Sequence, residues 1–125
     1  MEIVRRTFER WNAGQRDIDP EVVNPEIVVI SAMSSTTYRG FDGLRQWMAE
    51  IDDQFGDWGL SVDEFRDAPD ARLLALGKVH IRGRSSGVEF DQPMGWLVTF
   101  AEGTVIELTT FPDHAQALDA AGLSE

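Results

Sequence analysis

The sequence predicts an α+β fold, a curved and mainly antiparallel sheet with helices packed on its concave face. Three observations carry this expectation. From Ala71 to Phe111 three long strand patterns follow one another, Arg72 to Arg84, Val88 to Ala101 and Thr104 to Phe111. Small, flexible residues separate them, Ser85-Ser86-Gly87 and Glu102-Gly103, as tight hairpins require. Helical patterns precede the strands and do not alternate with them, which is the order of an α+β chain.

The first helical pattern places Val4, Phe8 and Trp11 on one face, with Asn12-Ala13-Gly14 as its stop. Asp19-Pro20-Glu21 reads as a second helix start, and Asn24-Pro25 as its end. Ile27 to Ile30 is a β-branched run and predicts a well-buried strand. Tyr38-Arg39-Gly40 predicts a short strand leading into a long helix. That helix carries Phe41, Leu44, Met48, Ile51 and Phe55 at steps of three and four, with Trp47 beside the stripe and Gly56 as its stop. Asp52, Asp53 and Asp57 near its end read as a solvated acidic patch. A metal site there lacks partners at ligand spacing.

Trp58, Leu60 and Val62 alternate as a strand, but Phe65 falls out of phase, so a bulge is expected near Asp63-Glu64. Asp67 to Asp70 is turn chemistry. Asp113 with Gln116 predicts the capped start of a last short helix through Ala121, stopped by Gly122. A curved sheet and a long helix would enclose a conical space with aromatic walls.

The 125 residues fit a single domain, 1–125. A chain of this length buries roughly two thirds of its unfolded surface and needs no staple. Cysteine is absent, which excludes thiolate chemistry, cysteine zinc sites and disulfides. The net charge of −11 opposes binding to nucleic acid or to an anionic membrane. No apolar run has the length of a signal or membrane segment, so a soluble cytoplasmic protein is expected. No metal and no cofactor is implied.

Four segments resemble a known family. Phe8-Glu9-Arg10-Trp11-Asn12-Ala13-Gly14 resembles the first-helix signature of the nuclear-transport-factor-two-like superfamily, in its SnoaL-like (polyketide-cyclase-like) branch. Tyr38-Arg39-Gly40 is similar to a segment before that branch's long helix. Gly83-Arg84-Ser85-Ser86-Gly87 is similar to its hairpin, and Phe111-Pro112-Asp113 with Ala117 to Leu123 to its ending. The resemblance implies a cone-shaped, cystatin-like α+β barrel, dimeric through the outer face of the sheet. It does not fix a function, because the family holds isomerases, cyclases, hydrolases, dehydratases and binders.

The isomerase pattern needs an aspartate base and an oxyanion hole of tyrosine and protonated aspartic acid. Aligned on the family pattern, the tyrosine position falls at Thr7, the base near Ile30 and the second acid near Trp96, and none of these can serve. The Asp-Arg-Asp relay of the epoxide hydrolases has no counterpart on the strands either. His80 is the best single catalytic candidate, since imidazole serves as acid or base near neutral pH. A two-residue loop at Ser85-Ser86 would set Arg82 opposite Glu89, His80 opposite Asp91, Ile81 opposite Phe90 and Ala75 opposite Trp96. His80 then sits on a charged face. A bulge at Pro93 would instead turn Lys78 and His80 into the cone. Glu107 and Thr109 are expected on the outer face or at a dimer contact, and His114 in solvent.

Trp11, Tyr38, Trp47 and Trp96 are the candidate ligand-binding residues, since large rings supply most of the area an apolar guest can bury. The expected function is binding of a small, mostly apolar molecule. The alternatives are a general acid–base enzyme using His80 with Asp91 or Glu107, and a non-catalytic homodimerisation or accessory module.

Overall fold

A computed structural model gives the structure of the protein. It describes Arg6 and residues 22–31, 36–55, 57–82 and 87–123. The expected helices before residue 22, Trp11 among them, lie outside the described residues, as do Gly56 and the Ser85-Ser86 loop.

The elements run β1 (Val23–Ser31), β2 (Thr36–Arg39), α1 (Gly40–Phe55), β3 (Asp57–Ala68), β4 (Arg72–Arg82), β5 (Glu89–Ala101), β6 (Thr104–Phe111) and α2 (His114–Ala120). The six strands form one sheet in the order β2-β1-β6-β5-β4-β3. β1 and β6 pair in parallel, and every other neighbouring pair is antiparallel. The α+β class and the curved, mainly antiparallel sheet are therefore as expected. Among the described residues the sheet stays open, with β2 and β3 at its edges.

Local chemistry explains most of the strand boundaries. Glu102 (φ 53) and Gly103 (φ 80) are both left-handed, which is what a two-residue hairpin between Ala101 and Thr104 needs. The predicted bulge in β3 is present: Val62 faces Gly77 and Glu64 faces Leu76, leaving Asp63 extra. A second bulge in β6 leaves Ile106 without a partner between Val105 and Glu107. It brings both Val105 and Leu108 into the core, an arrangement simple alternation does not predict.

Asn24-Pro25 does not lie at the end of a helix. Both residues fall inside β1, where the register against β6 breaks between Val23 and Val28. Proline lacks the N–H a regular ladder uses, and a bulge is where a strand tolerates it. The Asn24 side chain accepts from the Glu26 N–H at 2.8 Å and steadies the break.

The two faces of the sheet have different covers. Leu73, Ala75, Val79 and Ile81 of β4, with Trp96 and Val98 of β5, share a core with Leu44, Trp47 and Met48 of α1. The alternate residues Leu74, Leu76 and Leu97 pack with Ala117, Leu118 and Ala121. α2 therefore sits on the face opposite α1, and not beside it on one shared face. Three leucines on the outer face require cover, and α2 is the apolar segment that reaches them. Gly95 permits its close approach, since a Cβ there would meet the Ala117 Cβ at 2.4 Å. Asp113 caps α2 by accepting from the Gln116 N–H at 2.8 Å, as the sequence predicts.

His114 is a correction to the sequence reading. It is half-buried rather than free in solvent, and its Nε2 donates to the Gly77 carbonyl at 2.8 Å. Arg72 secures the other end of α2, donating to the carbonyls of Ala120 at 3.3 Å and Ala121 at 3.1 Å.

Candidate functional site

Three of the four expected ligand-binding residues come together. Tyr38 from β2, Trp47 from α1 and Trp96 from β5 are buried in one cluster on the α1 face, at 5%, 6% and 4% exposure. Strand alternation puts Tyr38 and Trp96 on this face, and the helical stripe does the same for Trp47. The fourth, Trp11, lies outside the described residues. Two buried hydroxyl residues share this face: Thr110 stands directly across from Trp96, and Ser31 alternates with core Val29 on β1. The α1 face is thus aromatic and apolar with two polar points.

The acids of α1 are partly structural. Glu50 Oε1 accepts from the Tyr38 hydroxyl at 2.7 Å, which ties β2 to the helix. Asp52 Oδ1 accepts from the Trp58 indole N–H at 2.7 Å, which ties β3 to it. Asp52 is therefore not simply part of a solvated patch. Among the described residues no group of three or more His, Asp or Glu could hold a metal ion.

His80 does not join the aromatic cluster. It alternates with core residues Val79 and Ile81 and so lies on the outer face, opposite Asp91. The register is the one a two-residue loop dictates: Arg82 faces Glu89, Ile81 faces Phe90 and Ala75 faces Trp96. His80 Nδ1 and Asp91 Oδ1 are 2.5 Å apart. His80 Nε2 lies 3.2 Å from the Ser61 hydroxyl, on the neighbouring strand. Ser61 has no signal in the sequence, because one serine in a strand is unremarkable until the register is known. Glu107 alternates with core Leu108 and takes the outer face, across from Thr99.

A solvent-open cavity of about 450 Å³ adjoins this row. Trp58, His80, Arg82, Glu89, Phe90 and Asp91 are among its walls. By strand alternation Trp58 and Phe90 belong to the α1 face, whereas His80, Arg82, Glu89 and Asp91 belong to the outer face.

Comparison with solved structures identifies this architecture. A protein of unknown function from Burkholderia pseudomallei, described as NTF2-like, superposes with a TM-score of 0.79 at 17% identity, over 97% of this chain and 95% of that one. The fold is NTF2-like. A SnoaL-like polyketide cyclase, so described, from a Jannaschia species matches at TM-score 0.74 and 24% identity, over 99% of this chain and 92% of its own. A hypothetical protein from Catenulispora acidiphila with a ketosteroid isomerase-like fold, in complex with trimethylamine, matches at 0.73 and 15%, over 98% and 94%. No protein-family model matches the sequence, and neither does any curated relative. The sequence resemblance to the NTF2-like superfamily and its SnoaL-like members is borne out in the fold. The NTF2-like neighbours do not share one activity, so the site has to argue the function. No helix among the described residues is long and apolar enough to cross a membrane.

Proposed function

We propose that this NTF2-like protein binds a small, mostly apolar molecule against the α1 face of its sheet. The observation behind the proposal is the convergence of Tyr38, Trp47 and Trp96, from three separate elements, into one cluster, with the buried Ser31 and Thr110 on the same face of the sheet. Aromatic rings supply apolar contact area, and a few placed polar groups orient a guest. A polyketide-like or terpenoid compound with one or two oxygens has this complementary chemistry. The trimethylamine complex of one neighbour supports small-molecule binding as a use of this fold.

Tryptophan fluorescence provides the test, with a panel of aromatic polyketide, terpenoid and steroid compounds. A saturable change is expected for at least one class, and Trp96→Phe should weaken that binding at least tenfold. No saturable change across the panel, or unchanged affinity in Trp96→Phe, would defeat the proposal.

Assembly belongs to the same reading. On the outer face α2 covers the leucines of β4 and β5, while Val28, Ile30 and Thr109 of β1 and β6 lie beyond that cluster. Ile30 is 36% exposed although it stands in a strand of the sheet. A second copy of the chain on this patch would make a homodimer.

A further inference from the structure

We propose that Ser61, His80 and Asp91 form a nucleophilic relay on the outer face of the sheet, acting on small activated esters. This goes beyond the ligand reading above and lies on the opposite face from it. The three residues come from three adjacent strands, β3, β4 and β5. Asp91 Oδ1 lies 2.5 Å from His80 Nδ1, and the Ser61 hydroxyl 3.2 Å from His80 Nε2. An ionised carboxylate only accepts, so Nδ1 carries the proton and Nε2 of the neutral ring is left to accept from Ser61. This is the order of roles in a serine nucleophile relay: hydroxyl, imidazole base, orienting carboxylate.

The surrounding backbone builds this arrangement. A Cβ at Gly77 would fall 2.0 Å from the Ser61 carbonyl oxygen, so only glycine allows β3 to lie this close to β4 next to its bulge. Bulges commonly re-aim side chains in this way. Lys78 stands directly across from Ser61, on the same face. In this relay its ammonium would supply a cation for negative charge developing on a substrate carbonyl oxygen. The side chains of His80 and Asp91 are about half exposed, at 48% and 54%, so substrate can reach them. Arg82, in the wall of the cavity and on the same outer face as His80, offers a charge to an acidic leaving group.

The step balances without a co-reactant. Ser61 Oγ bonds to the ester carbonyl carbon as its proton moves to His80 Nε2. The carbonyl–oxygen bond to the leaving group then breaks, and the imidazolium returns the proton to the departing oxygen. Water repeats the sequence, releasing the acid and restoring the serine.

The substrate probe is p-nitrophenyl acetate with the intact protein, and the covalent probe is diisopropyl fluorophosphate. The chain contains no cysteine, so Ser61→Cys would install its sole thiol, read by its rate with iodoacetamide. Wild type should hydrolyse the ester and take up one phosphoryl group at Ser61, located by peptide mass. Ser61→Ala and His80→Gln should each lower the rate about 100-fold, the range of a positioned general base. The Ser61→Cys thiol should alkylate faster than a free thiol, and lose that advantage when His80→Gln is added. Hydrolysis that survives Ser61→Ala but not His80→Gln would mean that histidine acts alone, and the relay would be refuted. A label on another residue, or a Ser61→Cys thiol indifferent to His80, would overturn it as well.

Discussion

Gly95→Ala tests the docking of α2 directly. The added Cβ would stand 2.4 Å from the Ala117 Cβ, with the Leu76 Cδ2 at 3.6 Å and the Ala117 Cα at 3.8 Å beyond it. Ordinary contact begins at 3.4 Å, so α2 has to retreat by about 1 Å, and overpacking of this kind costs roughly 1–3 kcal/mol. The helix cannot simply tilt away. Leu118 and Ala121 pack with Leu74, Leu76 and Leu97, and Arg72 holds the carbonyls of Ala120 and Ala121. Urea denaturation of Gly95→Ala should show the midpoint falling with an unchanged slope. Ala117→Gly alone should cost about 1 kcal/mol through helix propensity. Combined with Gly95→Ala it removes the clashing methyl, so the double variant should be more stable than the sum of the single effects, by about 1 kcal/mol or more. A Gly95→Ala cost below about 0.5 kcal/mol, typical of a free surface site, would refute the docking geometry. So would additive single effects, because they would show that the two methyls never meet.

Arg72→Ala should destabilise the protein by about 1–2 kcal/mol, since its guanidinium holds Pro69, Ala120 and Ala121 carbonyls together. Arg72→Lys should recover little, because an ammonium lacks the planar fork; full recovery in a thermal melt would contradict this account. For the homodimer, light scattering at micromolar concentration should give twice the chain mass, and Ile30→Lys should shift it toward the single chain. A monomeric mass for the wild type would end that reading.

Local chemistry made several features legible in the sequence. Gly103 marks a tight turn because glycine takes left-handed backbone without strain, and the β5–β6 hairpin, which holds Glu102 in the same region, follows. Phe65 out of phase with Val62 announced the β3 bulge, and Asp113 with Gln116 announced the cap of α2. The stripe from Phe41 through Ile51 marked α1. The pairing of His80 with Asp91 was available as well, because a hairpin loop length fixes every cross-strand partner behind it. Tyr38, Trp47 and Trp96 could be nominated from their size and apolarity, although only the packing of α1 on the sheet brought them together.

Long-range pairing decided the rest. Nothing near Val23 to Ser31 states that this strand runs parallel to β6, and that pairing drew Asn24-Pro25 into a bulge instead of a helix end. The outer-face position of α2 depends on Leu74, Leu76 and Leu97 facing away from α1, which requires the register of two strands together. His114 found the Gly77 carbonyl only once α2 had docked. Ser61 meets His80 across a ladder of residues 19 apart in the chain. A periodicity reports which face a residue takes, whereas its neighbours on that face are set by strand order, register and bulges, and these are properties of the whole sheet.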